Sequence, residues 1–193
     1  MKHPHVLKTH SDVRDRVRPK HLLLLAVVVG VAVLAAGCSV SVPRNVQPVT
    51  NFDVGRYAGT WYELARIDHR FEKGLVSTSA QYTLNPDGTV KVVNRGFNLE
   101  KHAWKEAVGT ARFLGDPRTA ALKVSFFGPF YGGYNVVHLS DDYKTALVIG
   151  QDLDYFWLLS RERSLPEVQV NALLAEAGKL GVDLNKVIKI PQQ

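Results

Sequence analysis

The sequence has little cysteine: Cys38 is the only one among 193 residues. A single thiol cannot form a disulfide within the chain, so no covalent cross-link stabilises the fold. The stability of the folded part must therefore come from its apolar core. A chain of this length favours one domain, or one domain with an appendage.

The sequence also lacks an apolar run long enough to cross a bilayer. The uncharged apolar stretch at 22–36 has 15 residues and follows six Lys and Arg side chains. Such a run behind a basic segment is typical of an export signal rather than of a transmembrane helix. It ends in small residues directly before Cys38, and this junction resembles a bacterial lipobox, although Ala35 stands where that pattern usually has Leu. A cysteine at the end of a transmembrane helix is the alternative interpretation.

The lipobox resemblance predicts the layout of the chain. Residues 1–37 would be a lipoprotein signal peptide that is removed, and Cys38 would be acylated as the mature N-terminus. More than one acyl chain would anchor the protein stably. Because Ser39 rather than Asp follows the cysteine, the resemblance implies lipid anchoring in the cell outer membrane, at its periplasmic face. Residues 38–50 are predicted to be a lipidated tether and residues 51–193 the folded domain.

Once the predicted signal peptide is removed, the sequence also lacks a large net charge of either sign. Six basic and two acidic residues precede Cys38, so the formal net charge falls from +6 to +2. A nearly neutral chain gives little electrostatic support for nucleic-acid binding. The sequence contains no Gly-x-Ser-x-Gly, His-Glu-x-x-His or Cys-x-x-Cys motif. The histidines at 69, 102 and 138 lack metal-ligand spacing, so we expect no metal site and no cofactor.

What the sequence does contain is a series of short segments rich in β-branched and aromatic residues. They recur with turn signals between them, as in an antiparallel sandwich or barrel, and Asn-Pro-Asp-Gly at 85–88 is typical of a tight hairpin. The eight predicted strands cover residues 61–67, 77–84, 89–95, 104–113, 120–127, 133–139, 145–150 and 155–160. Since no crossover helix interrupts them, we predict an all-β fold, an eight-stranded antiparallel up-and-down β-barrel. Eight strands leave room for one small ligand.

The pattern changes to a helical one after the strands. Ser164 as a capping residue, an early proline and apolar residues at helical spacing predict an α-helix over about 166–181, which Gly181 would end. We expect its apolar face to pack on the outside of the barrel. Residues 187–190 could then add a final strand. Recognition of a partner protein by this helix is the alternative.

Three short motifs occur in a fixed order along the predicted strands. Gly-Thr-Trp at 59–61 opens the first strand, Asp-Asp-Tyr at 141–143 lies between the sixth and seventh, and Leu-Leu-Ser-Arg at 158–161 ends the eighth. In this order the chain resembles the lipocalins, and specifically the bacterial lipoprotein lipocalins, over most of residues 51–190. The resemblance implies a closed barrel base where an arginine stacks on a tryptophan. The expected base residues are Gly59, Trp61, Asp142, Tyr143 and Arg161.

The opposite end of the barrel should be its mouth, because successive loops of a meander alternate between the two ends. Aromatic rings with basic neighbours at this end suit a ligand with an apolar tail and an anionic or zwitterionic head. Counting alternate residues back from Arg161 also points Trp157 and Tyr155 into the barrel. The predicted ligand-binding residues are Tyr131, Trp157, Tyr155, Phe130, Arg70 and Phe71.

The same counting from Trp61 places Glu63 inside the barrel. An unpaired carboxylate there would be costly. Either Glu63 pairs with a basic group, or a β-bulge breaks the alternation and turns it outward.

These features favour a membrane-anchored protein, not an enzyme, that binds and transports or stores fatty acids or lysophospholipids in the barrel cavity. A structural envelope lipoprotein that docks on a partner is one alternative, because the mouth aromatics could contact a protein. An enzyme acting on an apolar substrate is another. The expected partners are the lipid ligand and the membrane, reached through acylated Cys38; nucleic acid is not expected, and a homodimer across the mouth is compatible with these interpretations.

Overall fold

Nine antiparallel β-strands make up most of the computed structural model, which describes residues 40–192. The strands are β1 Gly59–Ile67, β2 Leu75–Leu84, β3 Val90–Asn98, β4 Ala103–Phe113, β5 Ala121–Phe127, β6 Phe130–Leu139, β7 Thr145–Ile149, β8 Phe156–Ser160 and β9 Val187–Lys189. Helix α1 is Val54–Tyr57, helix α2 is Glu167–Lys179, and a 3-10 turn covers Leu184–Lys186. Each of the eight predicted strands overlaps one of β1–β8, because alternating apolar and polar side chains fix strand positions locally.

The sheet closes into a barrel through β1. The first half of β1 pairs with β2, Gly59 opposite Tyr82, and its second half pairs with β8, Arg66 opposite Trp157. From β2 to β8, each strand pairs with the next strand in the chain, as in an up-and-down meander. The predicted eight-stranded antiparallel barrel with a C-terminal helix is therefore confirmed.

The last described residues form a C-terminal seam between β1 and β2. β9 pairs with the second half of β1, on the side where β2 pairs only with the first half. Beyond β9, the Gln192 side-chain amide donates to the Glu63 carbonyl at 2.7 Å and to the Thr78 carbonyl at 3.0 Å. The seam therefore joins both strands where they no longer pair with each other.

Two apolar clusters lie on opposite faces of the barrel wall. The inner cluster surrounds fully buried Trp61 and includes Val136 and Leu159. The outer cluster lies between α2 and the outer faces of β1, β7 and β8, and includes Leu158 and Leu173. Both clusters and every described strand of the barrel lie within residues 40–192, which belong to one compact unit.

Helix α2 differs from its prediction at the N-terminus. Its N-cap is Pro166 and no side chain caps it, so the expected Ser164 cap is wrong. At the other end Gly181 has φ 98°, and the Val182 amide donates to the Ala177 carbonyl at 3.1 Å, a typical glycine-terminated helix end. The apolar face of α2 is covered by the barrel, which leaves it unavailable to a partner helix.

The segment before the barrel belongs to the fold from Val46 onward. Val46 is buried in the outer cluster, and the Val49 amide donates to the Val136 carbonyl at 2.8 Å. Part of the predicted tether over 38–50 therefore packs on the barrel wall, where Val42 also contacts the outer cluster.

The predicted signal peptide, residues 1–37, and Cys38 lie outside the described residues, so both stay predictions. Within residues 40–192, neither helix is long and apolar enough to span a bilayer.

Candidate functional site

The base of the barrel is closed by Arg161. Its guanidinium carbon lies 4.1 Å from the ring centroid of Trp61, a contact worth about 0.5–2 kcal/mol. The same guanidinium donates hydrogen bonds of 2.8–3.3 Å to the carbonyls of Arg56, Tyr57, Ala58, Thr60 and Tyr143. The structure thus contains the arginine–tryptophan contact that the resemblance implies.

Gly59 allows the chain to pass beside this guanidinium. Its φ is 100°, a value that favours glycine, and a Cβ atom here would lie 3.1 Å from the nearest Arg161 nitrogen. Both the backbone angle and the space therefore favour glycine at this position.

A turn between β6 and β7 completes the base. Tyr143 has φ 58°, its hydroxyl accepts a hydrogen bond from the Asp53 amide at 3.0 Å, and the Arg56 guanidinium lies 3.9 Å from its ring. The Asp142 carboxylate instead accepts from the Ser140 hydroxyl at 2.7 Å, which lowers the Asp142 pKa. Asp142 therefore shapes the turn, whereas Tyr143 contacts the base cation through its carbonyl.

A buried cluster of charges lies on the inner wall beyond Trp61. Fully buried Arg66 donates to the Glu63 carboxylate at 2.8 Å and to the Asp68 carboxylate at 2.9 Å. It also donates to the Glu72 carbonyl at 2.8 Å, and the Glu72 carboxylate accepts from the Trp157 indole at 3.1 Å. This acidic cluster, defined as Glu63, Arg66, Asp68 and Glu72, links β1 to the loop that follows it.

Glu63 faces inward and pairs with a basic group, and the β-bulge follows it rather than turning it outward. Glu63 pairs with Arg66, and the pairing of β1 with β8 slips between Glu63 and Ala65. Leu64 and Ala65 both enter the outer cluster, so Arg66 returns to the inner face. Strict alternation points residue 66 outward, which is why the sequence reasoning missed Arg66. The available signal was that buried Glu63 required a cation, and Arg66 is the next basic residue along the strand.

Burial changes the protonation of this cluster. It raises the pKa of Glu63 to about 8; the charge of Glu72 adds to this rise and Arg66 opposes it. Burial also raises the pKa of Glu72 above its usual 4.5. Glu63 therefore retains its proton at neutral pH. No group of three His, Cys, Asp or Glu side chains within 40–192 is placed to hold a metal ion.

An aromatic stack lies at the mouth, on the loop between β1 and β2. The His69 ring stacks between Tyr155, at 4.2 Å, and exposed Phe71, at 5.4 Å, with Trp157 tilted at 5.8 Å. Burial lowers the pKa of His69, which favours a neutral ring at pH 7. Three predicted ligand-binding residues are thus brought together, and His69, which was not among them, lies between two of them.

The other three predicted ligand-binding residues lie apart from the stack. Phe130 is 71% exposed at the start of β6, and Arg70 is exposed without an ion pair among residues 40–192. Tyr134 faces the barrel interior, so Tyr131 lies on the outer face of the same strand, where the Lys123 ammonium is 4.9 Å from its ring. The Tyr131 side chain therefore points away from the lumen, and its role in ligand binding stays a prediction.

The lumen is lined by side chains that face inward and still have accessible surface. Val124, Phe126, Tyr134 and Trp157 pack against the inner cluster but are only partly buried. Accessible surface on the inside of a closed barrel faces an internal space. The described structure therefore has a largely apolar lumen above its closed base.

A family model described as "Lipocalin-like domain" matches residues 52–192, almost the whole described chain. The chain belongs to the lipocalin family. The lipocalin relatives include "Outer membrane lipoprotein Blc" of Citrobacter freundii, 48% identical over 171 residues that cover 89% of this chain and 97% of the relative. The protein of the same name from Vibrio cholerae is 42% identical and covers 84% of this chain and 95% of its own length.

Solved lipocalin structures show the same fold at lower identity. Insecticyanin from the tobacco hornworm Manduca sexta superposes with a TM-score of 0.63 at 21% identity, over 79% of this chain and 87% of that one. This similarity supports the fold alone. Lipocalins are generally binding or transport proteins for small hydrophobic ligands, and the lumen above the arginine–tryptophan base fits that general role.

Proposed function

We propose that this lipocalin binds fatty acids or lysophospholipids in its lumen while anchored to the cell envelope, and carries or stores them without chemical change. The observation that carries the proposal is the inward-facing, partly exposed apolar wall formed by Val124, Phe126 and Trp157. Such a wall suits an extended hydrocarbon chain, whose burial is driven by the hydrophobic effect.

The chemistry of the mouth supports the capture of lipids that carry a charged group. Exposed Phe71 and Phe130 offer apolar surface, while Arg70 and Lys105 add positive charge nearby. The Lys105 ammonium donates to the Phe71 carbonyl at 2.7 Å, which holds it beside the aromatic stack. Positive charge at the opening raises the local concentration of anionic or zwitterionic lipids.

The energetics allow stable binding. Burying about 14 methylene groups at about 0.8 kcal/mol each gives a gross stabilisation of about 11 kcal/mol. Micromolar affinity corresponds to about 8 kcal/mol, and the costs of association reduce the gross figure. We therefore expect dissociation constants in the micromolar range or tighter for long-chain lipids.

Anchoring through acylated Cys38 completes the proposal. The relatives are named outer membrane lipoproteins, which supports an envelope location. We propose that the barrel lies at the periplasmic face of the outer membrane. Val46 is the first buried residue described, so the tether would run from Cys38 to about residue 45. Eight extended residues reach at most about 29 Å, which keeps the barrel close to the bilayer.

The test is calorimetric titration of delipidated protein, starting at Ser39, with palmitate and a palmitoyl lysophospholipid. We expect saturable binding that Trp157→Ala weakens about tenfold or more, since it removes an indole from the lumen wall. Trp104→Ala is the matched control because Trp104 is 52% exposed on the outer face of β4. Mass spectrometry should recover each lipid unchanged. No saturable binding to either lipid would refute the proposal.

A further inference from the structure

Three tyrosine hydroxyls meet inside the barrel. The Tyr134 hydroxyl is 2.7 Å from that of Tyr57 and 2.8 Å from that of Tyr82. Tyr57 ends α1, Tyr82 lies on β2 and Tyr134 on β6, so the fold brings them together from separate parts of the chain. Tyr57 and Tyr82 are buried, whereas Tyr134 retains accessible surface toward the lumen. We refer to these three residues as the tyrosine triad.

One hydroxyl proton of the tyrosine triad has no hydrogen-bond acceptor within the triad. Three neutral hydroxyls carry three protons, and the two hydrogen bonds between them use two. Among residues 40–192 the three hydroxyls have no other hydrogen-bond partner, so no protein acceptor takes the third proton. Burial raises the pKa of all three tyrosines above 10, so the hydroxyls remain donors at neutral pH. A buried donor without an acceptor is costly, which favours an acceptor supplied from the lumen.

The charges near the triad also favour an acceptor. The Arg161 cation interacts electrostatically with all three tyrosines, and every hydrogen bond it makes in the described structure goes to a backbone carbonyl. No carboxylate within 40–192 forms an ion pair with it, whereas the carboxylates of the acidic cluster already share Arg66. Glu63 and Glu72 also interact electrostatically with Tyr82, but burial raises the pKa of both carboxyl groups and so reduces their negative charge. The region around the triad is therefore rich in hydrogen-bond donors.

We infer that the tyrosine triad is a polar binding site for an oxygen acceptor at one end of the ligand, and that the ligand lies with this end innermost. The carboxyl group of a fatty acid is the simplest group of this kind. Its hydrocarbon chain would then extend along Val124 and Phe126 toward the mouth. This inference rests on the proposed function, because it requires an apolar ligand in the lumen.

The first test compares two ligands of equal chain length in binding titrations at pH 7. Dodecanoate offers oxygen acceptors, whereas protonated dodecylamine offers only donors. For the variant Tyr57→Phe/Tyr82→Phe/Tyr134→Phe, which keeps the rings, we expect the dissociation constant of dodecanoate to rise about tenfold or more while that of dodecylamine stays within about twofold. Tyr62→Phe, on the outer face of β1 beneath Arg163, is the matched control and should change neither.

Equal effects on the two ligands would overturn the inference while leaving the proposed function standing. Failure of wild-type protein to bind either ligand or the long-chain lipids would instead remove both. If the triple variant does not fold, a second measurement on wild-type protein decides. The carboxyl ¹³C resonance of bound dodecanoate should resist broadening by a water-soluble paramagnetic gadolinium chelate, and the methyl-end ¹³C resonance should broaden more. The reverse order would place the carboxyl group at the mouth and overturn the inference.

Discussion

At the residue scale, one guanidinium organises the base of the barrel. Arg161 donates to five carbonyl oxygens, which belong to α1, to Ala58, to β1 and to the turn before β7. These bonds satisfy backbone acceptors where the chain changes direction. Its planar fork also lies over Trp61, an arrangement that a lysine ammonium cannot reproduce. The base is thus a structural unit that closes this end of the barrel.

Trp61→Ala tests this structural role. Because Trp61 is fully buried and its indole N–H donates to the Tyr57 carbonyl at 2.8 Å, we expect a loss of about 3–5 kcal/mol in unfolding free energy. Urea unfolding at pH 7 measures it, with outer-face Trp104→Ala as the comparison, expected to cost under about 1 kcal/mol. A loss no greater than that of the comparison would contradict the structural role.

The acidic cluster gives the protein a pH-dependent stability. The pKa of Glu63 is raised to about 8 in the folded state, whereas an exposed glutamate titrates near 4.5. Between these values the folded state binds more protons than the unfolded chain, so stability falls as the pH rises. Below about pH 4.5 both states are protonated and this contribution is fully present.

Glu63→Gln tests the pH dependence. The wild-type unfolding free energy should decline between about pH 5 and pH 8, and the variant should show a flatter profile because its amide does not titrate. Denaturant unfolding at several pH values measures both profiles. Glu106→Gln, on exposed β4 surface, should follow the wild type. A variant profile as steep as the wild-type one would show that another group is responsible.

The place of a side chain in the barrel could be predicted from the sequence only where the residue belongs to a known motif or follows the simple alternation of a strand. The arginine–tryptophan base followed from short motifs, and Trp157 from alternation along β8. Arg66 did not, because a bulge whose position depends on the partner strand changes its face. Glu72 likewise points inward from a loop, where no periodicity exists to reveal it.

At the element scale, the C-terminal seam is the feature that distinguishes this barrel from a simple meander. β9 is only three residues long, and the chain beyond it bonds to both β1 and β2. The sequence predicted a short strand there but not its position, since nothing local indicates which pair of strands diverges. The eight main strands and the helix could be predicted because their apolar patterns are local.

Two isoleucines at the seam test its contribution. Ile190 is 6% exposed and Ile188 is 40% exposed, so the same substitution compares a buried and an exposed position of one short segment. We expect Ile190→Ala to reduce the unfolding free energy by about 2–4 kcal/mol and Ile188→Ala by under about 1 kcal/mol. Chemical unfolding measures both. Equal losses would mean that the seam is not packed as described.

At the scale of the whole molecule, the fold combines a closed base, an apolar lumen and a mouth with aromatic and basic side chains. The acyl anchor predicted at Cys38 would confine this barrel to a membrane surface, where lipid ligands are concentrated. Since residues 40–192 hold both apolar clusters, we expect such an anchor to determine location rather than folding.

Cys38→Ser tests the anchor in the full-length chain. We expect this variant to lose palmitate labelling and to leave the membrane fraction, because serine lacks the thiol that is acylated. Ser39→Asp is the second arm: it should remain labelled but no longer sort to the outer membrane. Membrane fractionation with labelled palmitate measures both. A Cys38→Ser variant that stays labelled in the outer membrane would rule out this anchor.

Closure of the barrel also limits how early during synthesis the chain can finish folding. Tyr62 near the start of the barrel pairs with Ser160, and Ala65 pairs with Lys189. β1 therefore cannot complete its pairing until β8 and β9 have been synthesised. At synthesis rates of about 5–20 residues per second, roughly 5–25 seconds pass before those partners exist. During that interval β1 lacks its β8 and β9 partners, and contacts so distant along the chain form slowly. The nascent chain therefore cannot complete its barrel before translation is nearly finished, which favours the unfolded form that an export signal would deliver.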